Sequence, residues 1–396
     1  MSRQCRYGRG KQLVAHRRGT AISVDNYSDW QIRRLNGGEY LRPRRSDDWW
    51  LQPDTLTFLH RYPQGMTTRA FELTHAPSGR RLLLTAQDLY FDAAAQFSDT
   101  AKGETSSWDF RRRLLRSLRS KVLVLGQLLT SGDYGQDGLN LLNPKEAAQL
   151  LPAVADTLLR RGRGYRAVLL KDLYPTDSPH TAALLRKPFT LLPTDPCMLL
   201  PLRWPDLEAY VADLSSKYRV RYRRARTKLA GIQRRSLPAR EVTERLDRIY
   251  ALYRITSQGA AVNLTALTPD YFRWLGQHAT VHGYFDPAGE LIGFTTALAN
   301  GPAYQAHYLG LEESYKRSHH LYHNMLFDLL GDALAGDFTT LDYGRTALEI
   351  KSSVGAVPHS YATLLRLCSP LLNPLVPFFL PAVFTAPQWQ QRHPFR

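Results

Sequence analysis

Two stretches of this chain carry the same order of elements, and that repetition limits the fold more than any other feature. In the first, Thr68–Thr74 and Arg81–Thr85 read as strands flanking the turn Ala76-Pro77-Ser78-Gly79, and Val122–Leu129 reads as a buried strand. Asn143-Pro144-Lys145-Glu146 opens a helix to about Arg161, with proline in its first turn and Gly162 and Gly164 at its end. Ala167–Asp172 is the next strand. In the second stretch, His282–Phe285 and Leu291–Leu298 form a hairpin across Asp286-Pro287-Ala288-Gly289, and Ala303–Leu311 is an aromatic-rich strand. Ser318 caps a helix running to about Ala335, and Gly336 ends it. Thr339–Tyr343 is a strand, Thr346–Ser353 a short helix stopped by Gly355, and Tyr361–Leu367 a last strand. Hairpins followed by strand, helix and strand predict an α+β (α/β layered) chain of two tandem domains, each a mixed twisted sheet flanked by helices.

The length of 396 residues suits that plan, since single domains mostly run to roughly 100–200 residues. The expected divisions are a basic irregular segment over 1–54, a first domain over 55–203, linking helices over 204–235, a second domain over 236–368 and a Pro-rich tail over 369–396. In the lead-in, Arg3, Arg6, Arg9, Lys11, Arg17 and Arg18 alternate with glycine and polar residues without an apolar period. The linking segment is more unusual. Leu214, Tyr218, Tyr222, Ala225, Leu229 and Ile232 recur at spacings of three and four, giving one apolar stripe on a helix over Ser215–Ile232. Lys217, Arg219, Arg221, Arg223, Arg224, Arg226 and Lys228 cover the remainder with no acidic residue among them. Such a run repels itself unless an anion or the rest of the fold answers it. The formal net charge of +17 points the same way, toward cofactor phosphates, a carrier protein, nucleic acid or an acidic membrane face.

Cys5, Cys197 and Cys368 are far apart and odd in number, which excludes a disulfide framework and predicts a cytoplasmic protein. Leu367 to Gln391 holds no charge and Leu371–Phe384 is strongly apolar, but Pro370, Pro374, Pro377, Pro381 and Pro387 interrupt it. A spanning helix must satisfy its own backbone, so no transmembrane segment is expected. The tail is expected to lie extended on the body, with peripheral membrane contact as the other reading.

Three segments together resemble a known group. Leu214–Arg219 through Arg223-Arg224-Ala225-Arg226 resembles the basic helix of the Fem-type and related double-GNAT acyltransferases. Leu341-Asp342-Tyr343-Gly344-Arg345-Thr346-Ala347-Leu348-Glu349-Ile350-Lys351 resembles the strand–turn–helix near the end of their second domain, and Pro63-Gln64-Gly65-Met66 the start of their first. The resemblance spans roughly residues 55–365 and implies two tandem GNAT-like domains arising by duplication, with the acyl donor entering the second. Members take acyl thioesters or aminoacyl-tRNA as donors, and small amines or cell-wall precursors as acceptors. Members that bind coenzyme A usually carry a Q/R-x-x-G-x-G/A loop at the start of the central helix. Here Lys316-Arg317-Ser318-His319-His320-Leu321 stands in its place, without glycine, so Cβ atoms crowd the phosphate approach while Lys316 and Arg317 keep the charge.

Acyl transfer to an amine needs a deprotonated nucleophile, a donor for the developing oxyanion and a proton for the leaving group. Asp342 and Glu349 are the candidate bases, with His307 as a third, and Tyr343 and Tyr308 the candidate acids. Arg345 and Lys351 are placed to orient a carboxylate or phosphate. With Lys316, Arg317, Ser318, His319, Arg223 and Arg224, Lys351 makes up the expected donor-binding set. Among His319, His320 and His323 the pair at i and i+4 shares a helix face, but two histidines without a placed third ligand make a weak site, so no metal is expected. The leading expectation is an N-acyltransferase moving an acyl group from acyl-CoA (acetyl-CoA or longer) or an acyl carrier protein to a small-molecule amine. An aminoacyl-tRNA-dependent transferase is the second reading, and a non-catalytic nucleic-acid-binding protein on the same fold the third. On this reading Arg345→Ala abolishes transfer and leaves the melting temperature nearly unchanged.

Overall fold

The computed structural model describes residues 22–24, 27–35, 46–92, 119–258, 267–383 and 389–395. Cys5 and the arginines up to Arg18 lie outside the described residues. The first half comprises β1 (Ile22–Val24), β2 (Tyr27–Arg34), α1 (Pro53–Arg61), β3 (Met66–His75), β4 (Arg81–Asp92), β5 (Arg119–Leu125), β6 (Gln136–Asp137), α2 (Pro144–Arg161), β7 (Tyr165–Pro175), α3 (Pro179–Leu185), β8 (Thr190–Leu192) and β9 (Cys197–Pro201). The second half opens with α4 (Leu207–Asp213), α5 (Ser216–Lys228), β10 (Gln233–Ser236), α6 (Ala239–Glu244), α7 (Leu246–Gln258) and α8 (Pro269–His278). It continues with β11 (Thr280–Phe285), β12 (Leu291–Asn300), β13 (Ala303–Leu311), α9 (Glu313–Ser318), α10 (Leu321–Leu334), β14 (Thr340–Asp342), α11 (Leu348–Ser353), β15 (Val357–His359), β16 (Tyr361–Leu367) and α12 (Val376–Val383).

Local signals explain the two crossover helices unequally. α2 starts in a complete capping box: Glu146 N–H donates to Asn143 Oδ1 at 2.9 Å, and Asn143 N–H to Glu146 Oε2 at 3.0 Å. Its buried stripe, Ala147, Leu150, Leu151, Val154, Ala155 and Leu158, packs on the first sheet with Leu123, Leu125, Val168 and Leu170. The helix expected to start at Ser318 is instead broken. Ser318 closes the short α9, its hydroxyl donating to Ser314 O at 2.7 Å, and α10 begins at Leu321 after His320 in a left-handed conformation (φ 49°).

Each half builds antiparallel strands up to one parallel pair, β5–β7 across α2 and β13–β14 across α10. The halves then exchange a strand. β16, from the end of the second half, lies between β7 and β8 in the first sheet, while β9 lies between β14 and β15 in the second. An apolar core that both halves supply covers the seam. In it the Phe58 ring stacks on Trp274 at 4.5 Å between centroids, beside Trp50, Leu129 and Tyr271. A cut near residue 203 therefore removes from each sheet a strand that is paired on both sides. The full chain is expected to unfold in one calorimetric transition, and residues 1–203 and 204–396 expressed apart to show no cooperative unfolding. Two resolved transitions in the intact chain would contradict the exchange.

Two differences from the sequence reading involve the chain ends. Residues 22–24 and 27–34 are not irregular: they form β1 and β2, and β2 pairs with β3 from Trp30↔His75 to Arg34↔Phe71. The tail is not uniformly extended: Val376–Val383 is helical, with Pro377 in the first turn, where its missing N–H costs nothing. The end lies along the body, where Ser215 N–H donates to Pro394 O at 2.8 Å and Phe395 packs on Trp204.

Candidate active site

β13 and β14 run parallel for three pairs, from Ala303↔Thr340 to Gln305↔Asp342. β13 then continues to Leu311 with no partner on that side among the described residues. Its pairing with β12 also slips between Thr295 and Ala297, which leaves one extra residue in β13 at His307–Tyr308. The Thr296 hydroxyl staples this bulge, accepting from Tyr308 N–H and donating to Tyr308 O, both at 2.8 Å. The second sheet is thus split into a notch. The first sheet has none at the equivalent place, because β5 and β7 stay paired from Lys121↔Tyr165 to Leu125↔Leu170.

The turn Gly344–Ala347 follows β14 and forms the other wall of the notch. Gly344, Thr346 and Ala347 have φ of 66°, 65° and 48°, and left-handed backbone at two non-glycine residues costs roughly 1–3 kcal/mol each. Buried contacts hold it. Lys351 Nζ donates to Arg345 O at 2.5 Å and to Gly344 O at 3.3 Å, while Gly344 N–H donates to Asp342 Oδ1 at 2.7 Å. Burial pulls the Lys351 ammonium down to about 8, and burial pushes the Asp342 carboxyl up to about 6.

The floor comes from the first half. The loop after β5, Gly126-Gln127-Leu128-Leu129-Thr130-Ser131-Gly132-Asp133-Tyr134-Gly135, reaches across to the second. Tyr134 donates to Asp342 Oδ2 at 3.2 Å, Gln305 Nε2 to Thr130 Oγ1, and Tyr308 to Leu129 O at 3.4 Å. Gly126 cannot carry a side chain, since a Cβ there would lie 2.4 Å from Lys171 O. Beneath the loop, Asp172 is fully buried with φ 57°. It accepts from Lys171 Nζ at 2.6 Å, Arg345 Nη2 at 2.7 Å, Thr363 Oγ1 at 3.0 Å and Gly132 N–H at 3.1 Å. Desolvation alone would raise its pKa, but Lys171 and Arg345 outweigh it and hold the carboxylate below its ordinary value.

The first turn of α10 faces α5. Asn324 ties them, donating to Ala225 O at 2.9 Å and to His320 O at 3.2 Å, and Arg226 pairs with Asp328 at 2.6 Å. Of the seven cations on α5, Arg226 alone pairs with a carboxylate among the described residues. Three of the others, Arg221, Arg224 and Lys228, act on the histidines at the start of α10. Burial lowers the pKa of His320 and His323, and Lys228 and Arg224 depress the first further, as His320 and Arg221 do the second.

The sequence-derived residues therefore separate. Asp342, Arg345 and Lys351 meet at the turn beside the notch, and His307 and Tyr308 form the bulge. His307 hydrogen-bonds Tyr271 through Nε2 at 2.7 Å, and burial lowers its pKa to about 3, so it stays neutral. Tyr343 is a core residue whose hydroxyl donates to Leu326 O at 2.7 Å. Glu349 points outward and pairs with Arg392. Lys316 pairs with Glu313 at 3.2 Å on α9, Ser318 meets His319 Nδ1 at 2.8 Å, and Arg317, Arg223 and Arg224 are exposed. No group of three metal-ligating side chains occurs among the described residues. Arg345 also donates to Asp195 O at 2.7 Å, so its loss disturbs packing, contrary to the unchanged melting temperature expected from the sequence. Tyr134, Asp172 and Lys171 were not anticipated. For Tyr134 the signal was the run Ser131-Gly132-Asp133-Tyr134-Gly135, whose glycines both take positive φ.

No family model matches this sequence, and no curated protein matches it. Solved structures do. FemX aligns at 10% identity over 88% of this chain and 99% of its own, with a TM-score of 0.55. L-PGS from Bacillus licheniformis aligns at 11% identity over 75% of this chain and 86% of its own, with a TM-score of 0.43. A GCN5-related N-acetyltransferase from Sphaerobacter thermophilus aligns at 11% identity over 86% and 96%, with a TM-score of 0.41. What this chain shares with FemX is its fold, two tandem GNAT-like α+β halves.

Proposed function

We propose that this protein is an acyltransferase whose donor lies in the notch between β13 and the Gly344–Ala347 turn. The observation that carries this reading is the open edge of β13 beyond Gln305, beside a helix start lined with cations. An extended, amide-containing donor arm can hydrogen-bond that edge as an added strand. Its phosphates then fall near Arg221, Arg224 and Lys228 and the first turn of α10. The acceptor amine attacks the acyl carbon directly. Its proton passes to the Tyr134 oxygen as the Tyr134 proton passes to Asp342, and Tyr308 protonates the leaving group. Arg345 and Lys351 act through the turn rather than on substrate.

A thioester donor, acyl-CoA or an acyl carrier protein, with a small-molecule amine acceptor is the first reading. One observation favours an aminoacyl-tRNA donor instead: the unpaired cations of α5 extend along the whole helix, further than one pyrophosphate needs. Salt separates the two. Affinity for tRNA should fall steeply with ionic strength, with a slope set by the phosphates contacted, whereas acyl-CoA affinity should fall shallowly. The triple variant Arg221→Gln/Arg224→Gln/Lys228→Gln should weaken either donor by at least about tenfold, a change of about 1.4 kcal/mol. Unchanged donor affinity in a titration would show that α5 serves only as a solvated face.

A further inference from the structure

The end of the first sheet where β7 begins and β16 ends carries an apolar projection that no part of the described chain covers. β16 leads through Cys368 into Ser369–Leu375 and α12, and along this stretch Leu371 is 84% exposed, Phe378 79%, Leu372 56% and Leu375 45%. The projection is not a frayed end. Asn373 is buried beneath it, accepting from Leu367 N–H at 2.7 Å and donating to Pro188 O at 2.9 Å, while Cys368 N–H donates to Arg166 O at 2.8 Å. These bonds fix the finger between two basic turns. On one side, Arg161, Arg163 and Arg166 lie exposed where α2 ends and β7 begins; on the other, Arg186 and Lys187 lie exposed in the α3–β8 connection. None of these five pairs with a carboxylate among the described residues, and the nearby Asp156 is taken by Arg366. Lone exposed apolar side chains are ordinary, but a cluster of large ones in a collar of unpaired cations is not.

We propose that this finger docks the protein on an anionic lipid bilayer, with Leu371, Leu372, Leu375 and Phe378 in the interface and the five cations over the headgroups. The charge of the collar selects the occupant. A second copy of the same basic face would be repelled, whereas anionic headgroups attract each Lys or Arg near the surface. Apolar side chains on a short, proline-stiffened element suit shallow insertion. No helix among the described residues is long and apolar enough to cross a membrane, so contact by this finger is with one leaflet. The surface involves neither the notch nor the turn at Arg345 and is independent of the reaction proposed above.

Vesicle co-sedimentation of the full chain tests this, with phosphatidylcholine–phosphatidylglycerol vesicles against pure phosphatidylcholine. Binding to the anionic vesicles alone is expected. Leu371→Glu/Phe378→Glu should weaken it by at least about tenfold. Arg163→Gln/Arg166→Gln/Lys187→Gln should weaken it by about a hundredfold, since three cations are removed. All five positions are exposed, so both variants should keep the wild-type melting temperature, and circular dichroism checks that each is folded. Equal binding to both kinds of vesicle, or folded variants that bind like wild type, would overturn the proposal. Concentration-dependent dimers in analytical ultracentrifugation that vanish in Leu371→Glu/Phe378→Glu would also overturn it, by showing that a second copy covers the finger.

Discussion

Replacing Arg345 with alanine is expected to destabilise the protein by about 3–5 kcal/mol, the cost of leaving one member of a buried ion pair without its partner. The Arg345 side chain is 16% exposed and Asp172 is 0% exposed, so water cannot readily take over. Lys171 remains at 2.6 Å, yet its own burial lowers its pKa and makes it a poor sole counter-ion. The loss spreads further, because the same guanidinium donates to Asp195 O at 2.7 Å. Denaturant midpoints give the measurement. Adding Asp172→Asn to Arg345→Ala should recover part of the loss, since it removes the stranded charge; additive losses would show that the pair contributes nothing as a pair.

Asp342→Asn is expected to move stability and activity in opposite directions. Burial raises the native pKa of Asp342 to about 6, against roughly 3.9 for an unperturbed aspartate. Between those values the native state holds a proton that the unfolded state has released. Stability therefore falls as pH rises from about 4 to 6, by roughly 3 kcal/mol at about 1.4 kcal/mol per unit. Asparagine abolishes that titration. Its amide oxygen still accepts from Gly344 N–H, and its NH2 can donate to the Tyr134 oxygen. Above pH 6 the variant should melt higher than wild type; near pH 4 the two should converge. Transfer should meanwhile fall by 10²–10⁴, the usual contribution of a positioned proton acceptor, as an order of magnitude. Unaltered turnover in a more stable variant would make Asp342 a structural residue only.

The parts of the fold legible in sequence are those fixed by local chemistry. The capping box at Asn143, the turn at Asp286–Gly289 and the alternating or apolar strands gave two repeats of one plan, because each signal acts within a few residues. Strand exchange left no such trace. Tyr361–Leu367 reads as a strand wherever it pairs, and which sheet takes it, like the placing of Cys197–Pro201, is decided by contacts across the chain. The site divided the same way. Asp342 and Arg345 stood out through their place at the end of the strand Thr339–Tyr343, whereas Tyr134 meets Asp342 across 208 positions. Arg345 looked like a substrate clamp because its partner Asp172 lies 173 positions away on β7. The bulge at His307–Tyr308 depends on register against β12, which composition does not encode.

Photocrosslinking with a donor carrying a photoreactive acyl group, in acyl-CoA and aminoacyl-tRNA forms, followed by peptide mapping, tests the placement of the reaction most directly. Saturable label from either donor on Ala306–Leu311 or on Arg345–Ala347, reduced in Arg221→Gln/Arg224→Gln/Lys228→Gln, is the predicted result. Saturable label confined to the β5–α2–β7 crossover of the first half would contradict it, because there the parallel strands stay closed and no notch exists to receive a donor.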